Sequence, residues 1–312
     1  MRLALLIAVA AALDGQRVRE ASGVVRVGEE TLIADDSLTG AYVELETKRL
    51  RGPFFRLNDY DPERKRLHYR GLGVDFESVD MLADGRVALL SERLRSLVGD
   101  RGVIAEYDSE LAETGKRGLE GLAVRPLPDG ASRVAVLWEG GYPDYGALGR
   151  ARDQGPWQPL VVVHDIPRNG RAGRVRMAQA TLIELKPPLP DHADPPRSQR
   201  FRAPDLVWYP DAASRDGWGF LVLLSSQDGS PRPEFRHKWL QRFRRDGSAF
   251  GAPLDLMALL PPSLRAGNWE GLAWWEPGRS VILVCEEDGN IEAHGWILEL
   301  PEELRKDPAA FR

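Results

Sequence analysis

Seven acidic residues recur at matching places in the chain and are the side chains best placed for chemistry: Glu77, Glu92, Glu120, Glu139, Asp205, Glu270 and Glu286. They belong to four related stretches: FESVDMLADGRVALLSER (76–93), LEGLAVRPLPDGASRVAVLWEGG (119–141), APDLVWYPDAASRDGWGFLVLLSSQD (203–228) and NWEGLAWWEPGRSVILVCEED (268–288). Each reads as strand, Gly-containing turn, strand, the pattern of a β-hairpin. In an antiparallel hairpin two residues face each other when their midpoint falls in the turn. Glu77 and Glu92 centre on Asp84-Gly85, Glu120 and Glu139 on Asp129-Gly130, and Glu270 and Glu286 on Gly278, while Asp205 and Ser226 centre on Arg215-Asp216. This register sets three carboxylate pairs side by side, at the ends of the hairpins away from the turns. Like charges directly opposite are destabilising, so the pairs call for a bound cation, a shared proton, or Arg and Lys from elsewhere.

The elements that must position these acids follow from their spacing. The hairpin modules start at 77, 120, 205 and 270, so the second interval is nearly twice the first. Periods of about 40–50 residues with three or four strands each are those of propeller blades. The expected fold is therefore all-β: a β-propeller of five or six blades, each a three- to four-stranded antiparallel sheet. Strand 24–27 or 31–34 is expected to pair with the last blade and close the ring. In such a ring the innermost strands line a central channel, and Glu77, Glu120, Asp205 and Glu270 converge at one mouth with Glu92, Glu139 and Glu286 one strand further out. An all-oxygen set of this kind suits calcium or another hard cation better than zinc or copper. The competing reading is that these glutamates bond backbone amides or Arg side chains between blades.

Composition limits the alternatives. With 312 residues, 43% hydrophobic and 29% charged, the chain can bury a large core. A net charge of −5 with scattered basic residues argues against nucleic acid as a partner. The single Cys285 lies in an apolar strand, which excludes an internal disulfide and a Cys-based zinc site and fits a buried, inert thiol. The N-terminus, MRLALLIAVAAALDG, resembles the apolar core and cleavage zone of a secretory signal, so 1–21 is read as a leader and 22–312 as one propeller domain. Its apolar run is too short for a membrane-spanning helix. Periplasmic or secreted location and a monomer are the expectations carried forward. Segment 254–260 is expected to be helical, 302–312 a helical or frayed tail, and 140–159 and 186–202 long surface loops.

The phrases FESVDMLADGRVALLSER, LEGLAV with its PDG turn, and NWEGLAWW followed by VILVCEED resemble the phytase-like esterase family of β-propeller proteins. That resemblance implies a hydrolase of a phosphate ester or related ester, calcium-dependent, with its site at the acidic mouth. A divalent cation on the glutamates would activate water while Glu120 or Glu270 serves as base. An anionic substrate then needs cations to cross an acidic funnel, for which Arg93, Arg95, Arg236, His237 and Lys238 are the candidates. Asp205, followed by Leu206 and facing Ser226, departs from the pattern. A lactonase is a further reading, and a non-catalytic propeller that binds a ligand or protein through its long loops is the alternative.

Overall fold

The structure, a computed structural model, describes residues 20–28, 30–35, 41–46, 54–56, 66–68, 75–99, 102–108, 118–139, 159–188, 200–227, 235–287 and 291–311. These residues form five sheets. The first holds Ala21–Val27, Glu30–Asp35, Ala41–Glu46 and Arg66–His68. The second holds Phe76–Met81, Val87–Ser91, Ser96–Gly99 and Gly102–Tyr107, with Gly173–Val175 added in parallel at the outer edge. The third runs through Leu119–Pro126, Ser132–Trp138, Leu160–Ile166 and Thr181–Glu184. The fourth comprises Arg200–Pro210, Trp218–Gln227, Phe235–Phe243 and Ala249–Asp255. The fifth begins with Trp269–Glu276, Ser280–Cys285 and His294–Glu299 and takes Phe54–Arg56 from the other end of the chain as its outer strand.

The second strand of each hairpin explains why the sheets stack. Ser280–Cys285 is buried along its whole length, as are Leu89, Leu90, Val134 to Trp138 and Phe220 to Leu224. A strand apolar on both faces needs cover on both faces, and only neighbouring sheets supply it. Apolar clusters accordingly join the second sheet to the third through Leu90, Leu122 and Val136, the third to the fourth through Leu137, Trp208 and Val222, and the fourth to the fifth through Leu223 and Leu283. Ala21, Val24 and Ile33 then meet Ile282 and Val284, and Val25 and Leu32 meet Val79 and Leu89. The sheets thus return on themselves in a ring, a β-propeller arrangement with the first strands innermost.

Closure differs from the expectation. Strands 24–27 and 31–34 pair with each other and build the first sheet, and the strand lent to the last sheet is Phe54–Arg56, which pairs with His294–Glu299. Residues 254–260 form no helix: the fourth strand ends at Asp255 and a turn follows. The tail folds as two 3-10 turns, Glu302–Leu304 and Pro308–Phe311. Among the described residues no helix is long and apolar enough to cross a membrane. The leader assigned to 1–21 lies outside the described residues except for Glu20 and Ala21, and Ala21 opens the first strand. Most of both long loops, 140–158 and 189–199, also lies outside them.

The innermost strands approach the axis at the residue after each bulge. A Cβ on Gly23 would lie 2.5 Å from the Ser78 Cα, one on Gly271 3.0 Å from the Gly23 Cα, and one on Gly121 2.8 Å from the Asp205 Cα. That crowding is why Gly follows Glu in the LEG and NWEG phrases. Ser78 and Asp205 are the two members of this ring that carry a side chain.

Candidate functional site

At one mouth of the channel each first strand carries a register shift, between Ala21 and Gly23, Phe76 and Ser78, Leu119 and Gly121, Arg202 and Asp205, and Trp269 and Gly271. A bulge inserts one unpaired residue and turns the chain, and here the inserted residues include Glu77, Glu120 and Glu270. The expected pairing of acid with acid is therefore corrected. The residues that close the second strands face the positions two before those acids: Glu92 N donates to Asp75 O at 3.1 Å, Glu139 N to Gly118 O at 2.9 Å and Glu286 N to Asn268 O at 3.0 Å. Asp205 faces Leu223, and Ser226 faces Phe201.

The carboxylates fall into three groups. In the second sheet Asp75, Glu77 and Glu92 offer ligand oxygens that all lie within 4.8 Å of one another, the only such trio among the described residues. Asp75 stands opposite Glu92, and the bulge that inserts Glu77 between Phe76 and Ser78 brings its carboxylate to the same pair. Asp75 has φ 78°, an uncommon conformation for a residue other than Gly. The buried Glu92 carboxylate fills the space beside the third sheet, where a Cβ on Gly118 would come within 2.1 Å of Glu92 Oε1.

The second group is held by a cation that the repeat pattern did not reveal. Arg202 donates from Nε to Glu139 Oε1 at 3.0 Å, from Nη1 to Glu270 Oε1 at 2.9 Å and from Nη2 to Glu120 Oε2 at 3.4 Å. The Ala203 amide adds a bond to Glu139 Oε1 at 3.1 Å. One guanidinium thus ties together acids of the third and fifth sheets, all three of them buried. Burial, reinforced by the Glu139 charge and opposed by Arg202, holds the Glu120 carboxyl well above the usual carboxylate range. In the third group Asn268 Nδ2 bridges Glu270 Oε1 and Glu286 Oε1, and burial together with the Glu270 charge pushes Glu286 up to about 8.

Asp205 belongs to none of these. It occupies the register position of Gly121 and Gly271, deeper in the channel, and its oxygens accept the amides of Leu122 at 3.2 Å, Leu206 at 2.9 Å and Leu272 at 2.8 Å. It is a tie between three sheets, so its assignment as a cation ligand is corrected. Its carboxyl is raised well above the usual range by burial, with the nearby Asp80 acting in the same direction.

The expected substrate cations divide. Arg93 is exposed, directly beyond Glu92, and the half-buried Arg95 follows in the same turn, its amide bonded to Glu92 O at 3.0 Å. Lys238 is 1% exposed and donates to Arg265 O at 2.6 Å, and burial lowers its ammonium to about 8. It cannot meet a substrate from there. His237 is exposed on the same strand, and of Arg236 only the backbone is described. His164 bonds Tyr107 Oη through Nε2 at 2.9 Å and is lowered to about 4 by burial. Cys285 is buried, as its apolar strand implies.

No family model matches the chain, and no curated protein matches its sequence. The likeness to phytase-like esterases therefore rests on the hairpin phrases alone. Among solved structures, a protein of unknown function from Bacteroides caccae is similar at 11% identity and a TM-score of 0.37, over 83% of this chain and 66% of that one. A catalytically inactive virginiamycin B lyase from Staphylococcus aureus, solved with quinupristin, is similar at 9% identity and a TM-score of 0.38, over 91% and 97%. A streptogramin B lyase is similar at 8% identity and a TM-score of 0.37, over 93% and 86%.

Proposed function

We propose that the chain is a hydrolase of a phosphate ester or related ester, of the phytase-like esterase type, using calcium at the acidic mouth of a propeller with one blade per sheet. Export to the periplasm or medium would put such a site where weakly held calcium is available. The observation that carries this reading is the Asp75, Glu77 and Glu92 trio. Calcium takes oxygen ligands at about 2.3–2.6 Å, so two ligands of one ion lie no more than about 5 Å apart. The mutual 4.8 Å limit of the trio and its all-carboxylate chemistry fit that requirement. When bound, the ion would supply Lewis-acid polarisation of an ester or phosphoryl oxygen.

The remaining steps belong to the protein's own side chains. Burial and the neighbouring carboxylates, Glu139 and Glu92 among them, raise the Glu120 carboxyl well above its usual range, a shift toward the protonated form that suits it to donate to a leaving oxygen and makes it an acid where the sequence suggested a base. Glu286, raised to about 8, exchanges its proton near neutrality and can accept one from an attacking water. Glu270 is engaged by Arg202 and Asn268 and orients those two groups. Arg93, exposed at the rim, is the cation open to an anionic substrate.

Hydrolysis of p-nitrophenyl phosphate and p-nitrophenyl acetate, followed in calcium and in chelator, tests the assignment. Turnover of at least one ester is expected in calcium and not in chelator, with Glu120→Gln slowing it by about 10²–10⁴ and leaving the thermal melt of the fold in place. Failure to turn over either ester, or full activity in Glu120→Gln, would overturn it. Arg202 supports the second reading, a non-catalytic binding propeller, because it engages Glu120, Glu139 and Glu270 in internal ion pairs. In that case Glu120→Gln changes neither turnover nor ligand binding.

A further inference from the structure

The channel also opens at its other end, into a cavity of about 440 Å³. Volumes of about 300–1,000 Å³, mostly apolar with a few convergent polar groups, are typical of small-molecule sites. This cavity has that composition. Trp218, Trp274, Trp275 and Phe311 form its aromatic wall, and Val25, Ala123, Val207 and Ala273 line it nearer the axis. Phe311, brought over from the C-terminal turn, packs edge-on against Trp274 at 5.0 Å and Trp218 at 5.8 Å. Asp80 is the one carboxylate among the lining residues.

Three polar groups converge here. Asp80 stands on the inner strand two residues beyond Ser78, so it points to the axis as Ser78 does. Its oxygens accept the Met81 amide and the Val124 amide, each at 2.6 Å, and each oxygen has a lone pair left for the cavity. Burial raises this carboxyl to about 7, yet part of its surface still meets the cavity. Arg26 lies with its guanidinium 4.4 Å from the Trp275 ring and donates to the carbonyls of Gly28 and Trp275. Arg125 lies 5.0 Å from both Trp208 and Trp218, and its Nη2 reaches Asp216 at 3.2 Å.

We infer that this second mouth is a binding site for a planar aromatic acid that carries an N–H or O–H donor. The ring stacks in the Trp and Phe wall, the donor reaches Asp80, and the acid group meets Arg26 and Arg125. Flat rings match the wall because aromatic faces and edges attract beyond the area they bury. A negatively charged group matches the rim because both guanidinium groups already sit over indole rings and are held there at little further entropic cost. The inference does not depend on the hydrolase reading, since it uses none of the residues of the acidic mouth.

Isothermal titration with three probes tests it on the unaltered chain. Indole-3-acetate has ring, N–H and acid; 1-methylindole-3-acetate lacks the donor; cyclohexylacetate lacks the aromatic ring. Saturable one-to-one binding of indole-3-acetate is expected, with each of the other two weaker by about tenfold. Trp275→Ala, a half-buried rim position, should weaken indole-3-acetate by about tenfold as well, while Glu92→Gln at the opposite mouth leaves it unchanged. Absence of saturable binding, equal affinity for the three probes, or full affinity in Trp275→Ala would each overturn the site.

Discussion

Asp205→Ala is expected to lower the free energy of unfolding by about 3–6 kcal/mol, because a buried donor left without its acceptor costs about 1–3 kcal/mol and this change strands up to three. The amides concerned belong to Leu122, Leu206 and Leu272, one each in the third, fourth and fifth sheets. Asp205→Asn keeps the shape but turns a donor toward those amides, so a smaller loss in the same direction is expected. Denaturant unfolding of both variants measures it; a loss under about 1 kcal/mol for alanine would show that water or the backbone replaces the carboxyl. The same carboxyl makes stability depend on pH. Asp205 is raised well above 3.8 and Asp80 to about 7. A group whose folded pKa exceeds its unfolded one favours folding fully below the unfolded value, and that contribution is lost as pH rises through the folded value. In chelator the protein should therefore be more stable at pH 5 than at pH 8, and Asp80→Asn should remove the part of the slope that ends near pH 7.

Replacing Arg202 with leucine is the second large effect. Removing one partner of a buried ionic group typically costs about 3–5 kcal/mol, because the other charges remain without compensation. Here three buried glutamates lose their shared cation. Arg202→Lys should recover little, since an ammonium cannot span three acceptors in the plane that a guanidinium does. Adding Glu120→Gln to Arg202→Leu should restore part of the loss, a coupling that a double-mutant cycle reads directly. Without the arginine the Glu120 carboxyl, which Arg202 holds down, rises further, so the variant should regain stability as the pH falls through that raised folded value toward the unfolded one. If Arg202→Leu unfolds at the denaturant concentration of the unaltered chain, the guanidinium is not what holds this mouth together.

The hairpins and their turns could be read from the chain because their signals are local. Asp84-Gly85 and Asp129-Gly130 do form the turns, with Gly85 and Gly130 at φ 84° and 80° and each aspartate accepting the amide two residues on. The acids at the mouth could be found but not paired, since midpoint counting assumes an unbroken ladder and every one of these ladders has an extra residue just where the acids stand. Acidity alone groups Asp205 with Glu120 and Glu270. Matching Leu206-Val207-Trp208 to Leu272-Ala273-Trp274 instead puts Asp205 with Gly271 and Arg202 with Asn268, which is where the structure has them. Lys238 belongs to a run of charges that suggests a cation open to substrate, but strand alternation turns it inward between His237 and Trp239. The outer strand Phe54–Arg56 gave no signal because three residues carry no periodicity.

A cation held at the acidic mouth should show in a thermal melt of the purified chain. In excess chelator and then in millimolar calcium, the melting temperature should rise by about 5 °C or more, the shift expected when ligand exceeds its dissociation constant about a hundredfold. Glu92→Gln should abolish the rise, while Asp216→Asn on the far side of the ring should keep it. A melting temperature that calcium leaves unmoved, or one that rises equally in Glu92→Gln, would mean that these carboxylates hold no calcium.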